Sequence, residues 1–98
     1  MILHVVTFVW KRDITTSEVD RLHEALGRLP QLIAQLVRYE HGRDLGLKQG
    51  NADYAICAVV RSAEDLALYL DHPEHVRVVR ELTSQMFASR QAVQLALP

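Results

Sequence analysis

The stretch ILHVVTFVW, residues 2–10, decides the fold because it is apolar on both of its alternating faces. Its β-branched and aromatic residues predict a strand. One face would carry Ile2, Val6, Phe8 and Trp10 together with His4, and the other Leu3, Val5 and Val9. A strand of this kind is buried on both sides. Helices of the same short chain can cover one side, so the pattern predicts that a partner covers the other.

The following residues predict one helix and two strands. Val19, Leu22, Leu26 and Leu29 recur at helical spacing. We expect Thr16 or Ser17 to cap this helix and Pro30 to end it. Strands are expected at residues 36–43 and 54–61.

The second half of the chain predicts two helices and a final strand. Residues 62–65, Ser-Ala-Glu-Asp, have the form of a capping box and should start a helix. The pair His72-Pro73 should break it, and Pro73 suits the first position of a new helix that continues to Met86. Residues 91–97 predict a short strand.

The element order is therefore β-α-β-β-α-α-β. It predicts an α+β, ferredoxin-like fold, an antiparallel sheet with helices on one face. The second face of the sheet would be apolar and bare. Two such sheets packed face to face would form a dimeric α/β barrel.

Composition limits the classes of function. The chain has 98 residues, 49% of them hydrophobic, which is enough for one domain spanning 1–98. Its net charge of −1 and the absence of a basic run argue against nucleic acid. No apolar run approaches the ~20 residues that span a bilayer. With no signal-peptide pattern and a single cysteine, we expect a cytoplasmic protein.

Residues 69–75, Tyr-Leu-Asp-His-Pro-Glu-His, carry a resemblance to a known family. This Tyr-x-x-His-Pro-x-His segment is similar to the signature of the stress-responsive dimeric α/β-barrel (Dabb) family. His4 at the start of the first strand and the Tyr39-x-x-Gly42 motif match it too. The resemblance covers nearly the whole chain and implies a homodimer. Members of the family are mostly of unknown function.

One resembling member is a polyketide cyclase that closes a linear tetraketide by aldol condensation. Its catalytic tyrosine and histidine match Tyr69 and His75, and a pocket histidine matches His4. Another pocket histidine of the cyclase falls at Tyr54 here, and pocket aromatics of its first helix fall near His23. The resemblance thus implies Tyr69 and His75 as catalytic candidates, and His4, Tyr54 and His23 as ligand-binding candidates, in a pocket of different shape.

Two functions follow from these residues. The first is a stress-response dimer, of undetermined activity, that binds a small hydrophobic or phenolic molecule. The second is a cofactor-free cyclase or isomerase in which His75 takes a proton next to a carbonyl and Tyr69 hydrogen-bonds the enolate. Heme or quinone monooxygenase activity, found in other dimeric ferredoxin-like barrels, fits the motif less well. Whether any reaction is catalysed stays open.

Each candidate also has a structural interpretation. Tyr69 can simply pack on the sheet while His75 bonds a turn carbonyl, and His4 can be a hydrogen-bonded core histidine. No cofactor is expected. His72 and His75 lack the third and fourth ligands of a zinc site, so no dedicated metal site is expected. The sequence leaves open whether a magnesium ion binds weakly. Cys57, amid apolar residues, predicts a core position.

Overall fold

Strand β1 (Ile2–Trp10) lies in the interior of a four-stranded antiparallel sheet with the order β2-β3-β1-β4. The computed structural model describes all residues, 1–98. The other strands are β2 (Arg38–Arg43), β3 (Tyr54–Val60) and β4 (Phe87–Ala96). The helices are α1 (Thr16–Leu32), α2 (Ala63–Leu70), α3 (Pro73–Val78), a π-helical turn (Val79–Thr83) and the single turn α4 (Ser84–Met86). None of these helices is long and apolar enough to cross a membrane.

The helices cover one face of the sheet, as predicted. On that face β1 buries His4, Val6 and Phe8. These residues meet the four regularly spaced apolar residues of α1 and the inward residues of β3. The core consists of Val6, Phe8, Val19, Leu22, Leu26, Leu29, Ile33, Tyr54, Ile56, Ala58, Tyr69, Val78 and Met86. The ferredoxin-like α+β fold is thereby confirmed.

The opposite face of the sheet is uncovered; it is apolar at its centre, and Arg38 and Glu40 of β2 lie at its border. Val5 is paired there with Cys57 on one side and Val93 on the other, and Leu3 with Val59 and Leu95. The side chains of β4 on this face are about half exposed, with 51% for Val93 and 49% for Leu95. A single chain therefore leaves an apolar patch of β1, β3 and β4 in water, and patches of this kind often mark an interaction surface.

Helix α1 differs from the prediction at both ends. Its N-cap is Thr15, not Thr16 or Ser17. The Thr15 hydroxyl accepts from the Glu18 N–H at 3.2 Å, and the Glu18 carboxylate accepts from the Thr15 N–H at 3.3 Å, a complete capping box. Pro30 does not end the helix, which runs to Leu32. Proline removes one hydrogen bond, but the burial of Ile33, whose N–H donates to the Leu29 carbonyl, holds the last turn in place.

The helix break at His72 and Pro73 is confirmed. His72 is the N-cap of α3, its Nδ1 accepts from the Glu74 N–H at 3.1 Å, and Pro73 is the first helical residue. The helix predicted to continue from Pro73 to Met86 is interrupted after α3 by the π-helical turn, which the sequence did not predict.

Strand boundaries also differ. β4 starts at Phe87, not at residue 91. The first half of β4 was not predicted because it contains the polar residues Ser89 and Arg90, although both pair with β1. β2 starts at Arg38 instead of residue 36, and β3 ends at Val60 instead of residue 61.

Replacing Thr15 by alanine should lower the free energy of unfolding by about 1 kcal/mol, because the cap of α1 is lost. Thr16→Ala is the matched control and should change it by less than about 0.5 kcal/mol. Urea unfolding of both variants measures the difference. Equal losses would show that the cap is not at Thr15.

Candidate functional site

The break between α2 and α3 brings Tyr69 and His75 side by side. In a continuous helix two residues six apart are rotated by about 600°, so their side chains point about 120° apart, on different faces. Here the extended backbone of His72 (φ −60°, ψ 133°) separates the two helices. The rings of Tyr69 and His75 consequently lie with their centroids 4.6 Å apart.

His4 reaches the same place from the sheet. Its ring lies edge-on to that of Tyr69, with a centroid distance of 6.3 Å. The Gln94 side-chain amide on β4 donates to His4 Nδ1 at 2.8 Å. Nδ1 therefore acts as an acceptor, and a neutral His4 carries its proton on Nε2.

A cavity of about 240 Å³ lies between the sheet and the helices where these three residues meet. Its lining is mainly apolar and contains no acidic side chain. The lining residues are His4, Val6, Phe8, Leu26, Ile56, Tyr69, Leu70, His75, Val78, Val79, Thr83, Ser84, Phe87 and Arg90. A surface hollow of about 220 Å³ shares Leu70, His75, Val79 and Ser84 with it. The cavity thus adjoins the surface beside the π-helical turn, a feature often found at functional sites.

The hydrogen bond of His75 fixes its tautomer. A carbonyl oxygen can only accept, so His75 Nδ1–H donates to the Leu70 carbonyl at 2.8 Å. A neutral His75 therefore has an unprotonated Nε2. Burial lowers the pKa of His75; the Leu70 bond opposes this shift, and the nearby Arg90 charge adds to it.

Tyr69 and His4 are also held neutral. Tyr69 is 1% exposed, and its burial raises the pKa of the hydroxyl. Burial, followed by the charge of Arg90 and by His75, lowers the pKa of His4. Near neutral pH the residues that line the cavity thus include a neutral phenol, an imidazole protonated on Nε2 (His4) and an imidazole with an unprotonated Nε2 (His75).

Tyr54 and His23 lie outside this cavity, in a second polar cluster. The Tyr54 hydroxyl contacts His23 Nδ1 at 2.9 Å and His41 Nδ1 at 2.8 Å. With a single proton, the hydroxyl donates to one imidazole and accepts from the other. Burial raises the pKa of Tyr54 to about 12, and burial together with His23 lowers the pKa of His41. The cluster joins α1, β2 and β3.

Tyr39 lies between the two groups. Its ring is 6.2 Å from that of Tyr69 and 5.5 Å from that of His41. The Tyr39 hydroxyl is buried and makes no hydrogen bond of ordinary geometry, although the Tyr69 hydroxyl lies close enough to act on its pKa. Burial raises the pKa of Tyr39, and the neighbouring Tyr69 adds to the shift.

Sequence reasoning missed His41, Gln94 and Arg90. The alternation of β2 places Tyr39 and His41 on one face, and that signal could have been used. Gln94 was within the predicted final strand, but its pairing with His4 depends on the register between distant strands. Arg90 fell outside the predicted strand, so its place at the cavity had no sequence signal.

The whole chain matches a known family. The family model described as the stress responsive A/B barrel domain matches residues 2–96, which confirms the resemblance carried by residues 69–75. A dimeric ferredoxin-like protein of unknown function from Thermobifida fusca is 38% identical, with a TM-score of 0.91 over 98% of this chain and 90% of that chain. None of the curated proteins compared with the chain matches it.

Two further solved structures share the fold. A dimeric protein of unknown function with a ferredoxin-like fold from Bacteroides fragilis is 25% identical, with a TM-score of 0.84 over 98% of this chain and 95% of that chain. A hydroxynitrile lyase from Passiflora edulis is 15% identical, with a TM-score of 0.85 over 99% of this chain and 93% of that chain. At this identity the likeness to the lyase is one of fold alone.

Mild acid should destabilise the protein. Folding lowers the pKa of His4, His41 and His75 below the ordinary value of 6.5. Between the folded and unfolded pKa values the unfolded chain binds more protons, so stability rises with pH in that window. The stabilisation is complete above pH 6.5 and is lost as pH falls through the lowered values. Melting temperatures should therefore be several degrees lower at pH 5 than at pH 7.5. A flat profile over this range, where carboxylates stay ionised, would contradict these buried neutral histidines.

Proposed function

We propose that this chain, which belongs to the stress responsive A/B barrel domain family, is a homodimer that binds a small hydrophobic or phenolic molecule. The site is the cavity between sheet and helices. The observation that carries the proposal is the convergence of Tyr69, His75 and His4 on one apolar cavity. Ligand sites commonly combine an apolar lining with a few convergent polar groups in this way.

The size of the cavity limits the ligand. A dry apolar cavity of about 150 Å³ holds benzene. A volume of about 240 Å³ therefore suits one ring with a short substituent. A phenol hydroxyl matches the polar groups, because it can donate to His75 Nε2 and accept from the Tyr69 hydroxyl. A carbonyl oxygen can accept from Tyr69 or from His4.

Acid–base catalysis is a second candidate function, favoured by the tautomer of His75. The bond from Nδ1 to the Leu70 carbonyl orients the ring and leaves Nε2 as the base. In a cofactor-free isomerase or cyclase, Nε2 takes a proton from the carbon next to a carbonyl. The Tyr69 hydroxyl donates a hydrogen bond to the enolate oxygen, and Nε2 returns the proton or passes it to another atom. The hydroxynitrile lyase from Passiflora edulis shares only the fold with this chain.

The homodimer is proposed because of the bare apolar face of the sheet. The Thermobifida and Bacteroides relatives are described as dimeric. Packing two such faces together would bury Val5 and Val93 of both copies, in an interface as apolar as a split core. We place the protein in the cytoplasm, where Cys57, which lies on this face, would stay reduced.

The ligand proposal is tested with 4-ethylphenol and ethylbenzene, which differ only in the hydroxyl. The wild-type protein should bind 4-ethylphenol more tightly by about fivefold, the value of one net hydrogen bond of about 1 kcal/mol. Tyr69→Phe and His75→Ala should each reduce this preference while the protein stays folded, as judged by thermal melting. His23→Ala, a histidine change outside the cavity, should leave the preference unchanged. Binding of neither compound, or equal effects of the His23 and His75 changes, would refute the proposed site.

The dimer is tested with two substitutions at residues of equal exposure. Val93 lies on the bare sheet face and is 51% exposed, whereas Leu68 lies on α2 and is 49% exposed. Val93→Asp should dissociate or aggregate the protein, since a buried unpaired charge costs several kcal/mol. Leu68→Asp should leave a dimer mass in light scattering at micromolar concentration. A monomer mass for the wild-type protein would refute the dimer.

A further inference from the structure

Arg90 lines the cavity and has no partner of opposite charge. It pairs with Phe8 in the β1–β4 register, so its side chain lies on the helix-covered face, and it lines the cavity. The ion pairs of the chain use four other arginines, namely Arg38, Arg43, Arg77 and Arg80. Arg90 is exposed and forms no ion pair.

The surroundings of Arg90 lack negative charge. Of the residues that line the cavity, the other titratable ones are His4, Tyr69 and His75, all neutral near pH 7. The positive charge of Arg90 acts on both imidazoles, because it lowers the pKa of His4 and of His75. The cavity thus consists of an apolar interior with a single uncompensated cation at its edge.

A charged residue on an edge strand has an ordinary explanation, because such residues prevent strands of different molecules from pairing. β4 is an edge strand of ten residues, Phe87–Ala96, and Arg90 is its sole charged residue. That charge occupies a position on the covered face, beside the cavity. An inward-pointing charge can also protect an edge, but that role does not require the charge to line a cavity that contains no acidic side chain.

We propose that Arg90 recognises a carboxylate, and that the ligand is a small apolar carboxylic acid with a single ring. This inference rests on the proposed function and names the ligand class of the same site. The guanidinium binds the carboxylate at the edge of the cavity, where its planar fork of N–H donors matches the two oxygens. The ring occupies the apolar interior, and a hydroxyl or carbonyl group on its far side meets Tyr69 and His75.

The test compares 4-hydroxybenzoate with 4-hydroxybenzamide, which has nearly the same shape and no charge. At pH 7.5 and low salt the wild-type protein should bind the acid about tenfold more tightly, as expected for charge-assisted hydrogen bonds. Arg90→Gln should remove this preference and leave the dissociation constant of the amide unchanged. Arg28→Gln, which removes an arginine of α1 outside the cavity, should preserve the preference.

The outcomes separate the two proposals. Binding of the amide and of 4-ethylphenol without any preference for the acid would overturn the role of Arg90 and leave the proposed function standing. A preference that survives in Arg90→Gln would also overturn it. Binding of none of these compounds would overturn both proposals.

Discussion

Strand β1 is apolar on both faces, and the need to remove both faces from water governs the rest of the molecule. Helix α1 covers one face with its regularly spaced leucines and valine. The chain has no remaining element for the other face, where Val5 and its neighbours on β3 and β4 stay exposed. Burial contributes roughly 25 cal/mol for each Å² of apolar surface removed from water, so this face favours a covering partner. The same strand carries His4, the one polar residue on its covered side that reaches the cavity.

The cavity exists because two short helices, and not one long helix, cross this part of the sheet. The break at His72 and Pro73 brings Tyr69 and His75 side by side, and the π-helical turn follows directly after α3. Both imidazoles there are held by a neighbour, His75 by the Leu70 carbonyl and His4 by Gln94. Fixed tautomers and neutral imidazoles give the cavity a defined set of donors and acceptors, as binding sites for small molecules require.

Much of this fold could be predicted from local pattern. The two apolar faces of β1, the helical spacing in α1 and the proline of α3 are signals within a few residues, and all were confirmed. The errors have physical causes. Burial of Ile33 outweighs the hydrogen bond that Pro30 removes, and pairing with β1 makes a strand of the polar segment around Arg90. The site was predictable in part, since Tyr69, His75 and His4 do meet. The contact of His41 with Tyr54 depends on strand register, which no local pattern gives.

The proposed site requires His75 to be a neutral imidazole whose Nε2 faces the ligand. Long-range ¹H–¹⁵N correlation spectra of the labelled protein at pH 7.5, assigned with the His75→Gln variant, report its tautomer. We predict a protonated Nδ1 and an unprotonated Nε2, and we expect the Nε2 resonance to shift when 4-ethylphenol is added. A proton on Nε2, or a His75 resonance that does not change at saturating 4-ethylphenol, would show that His75 does not bind the ligand as proposed.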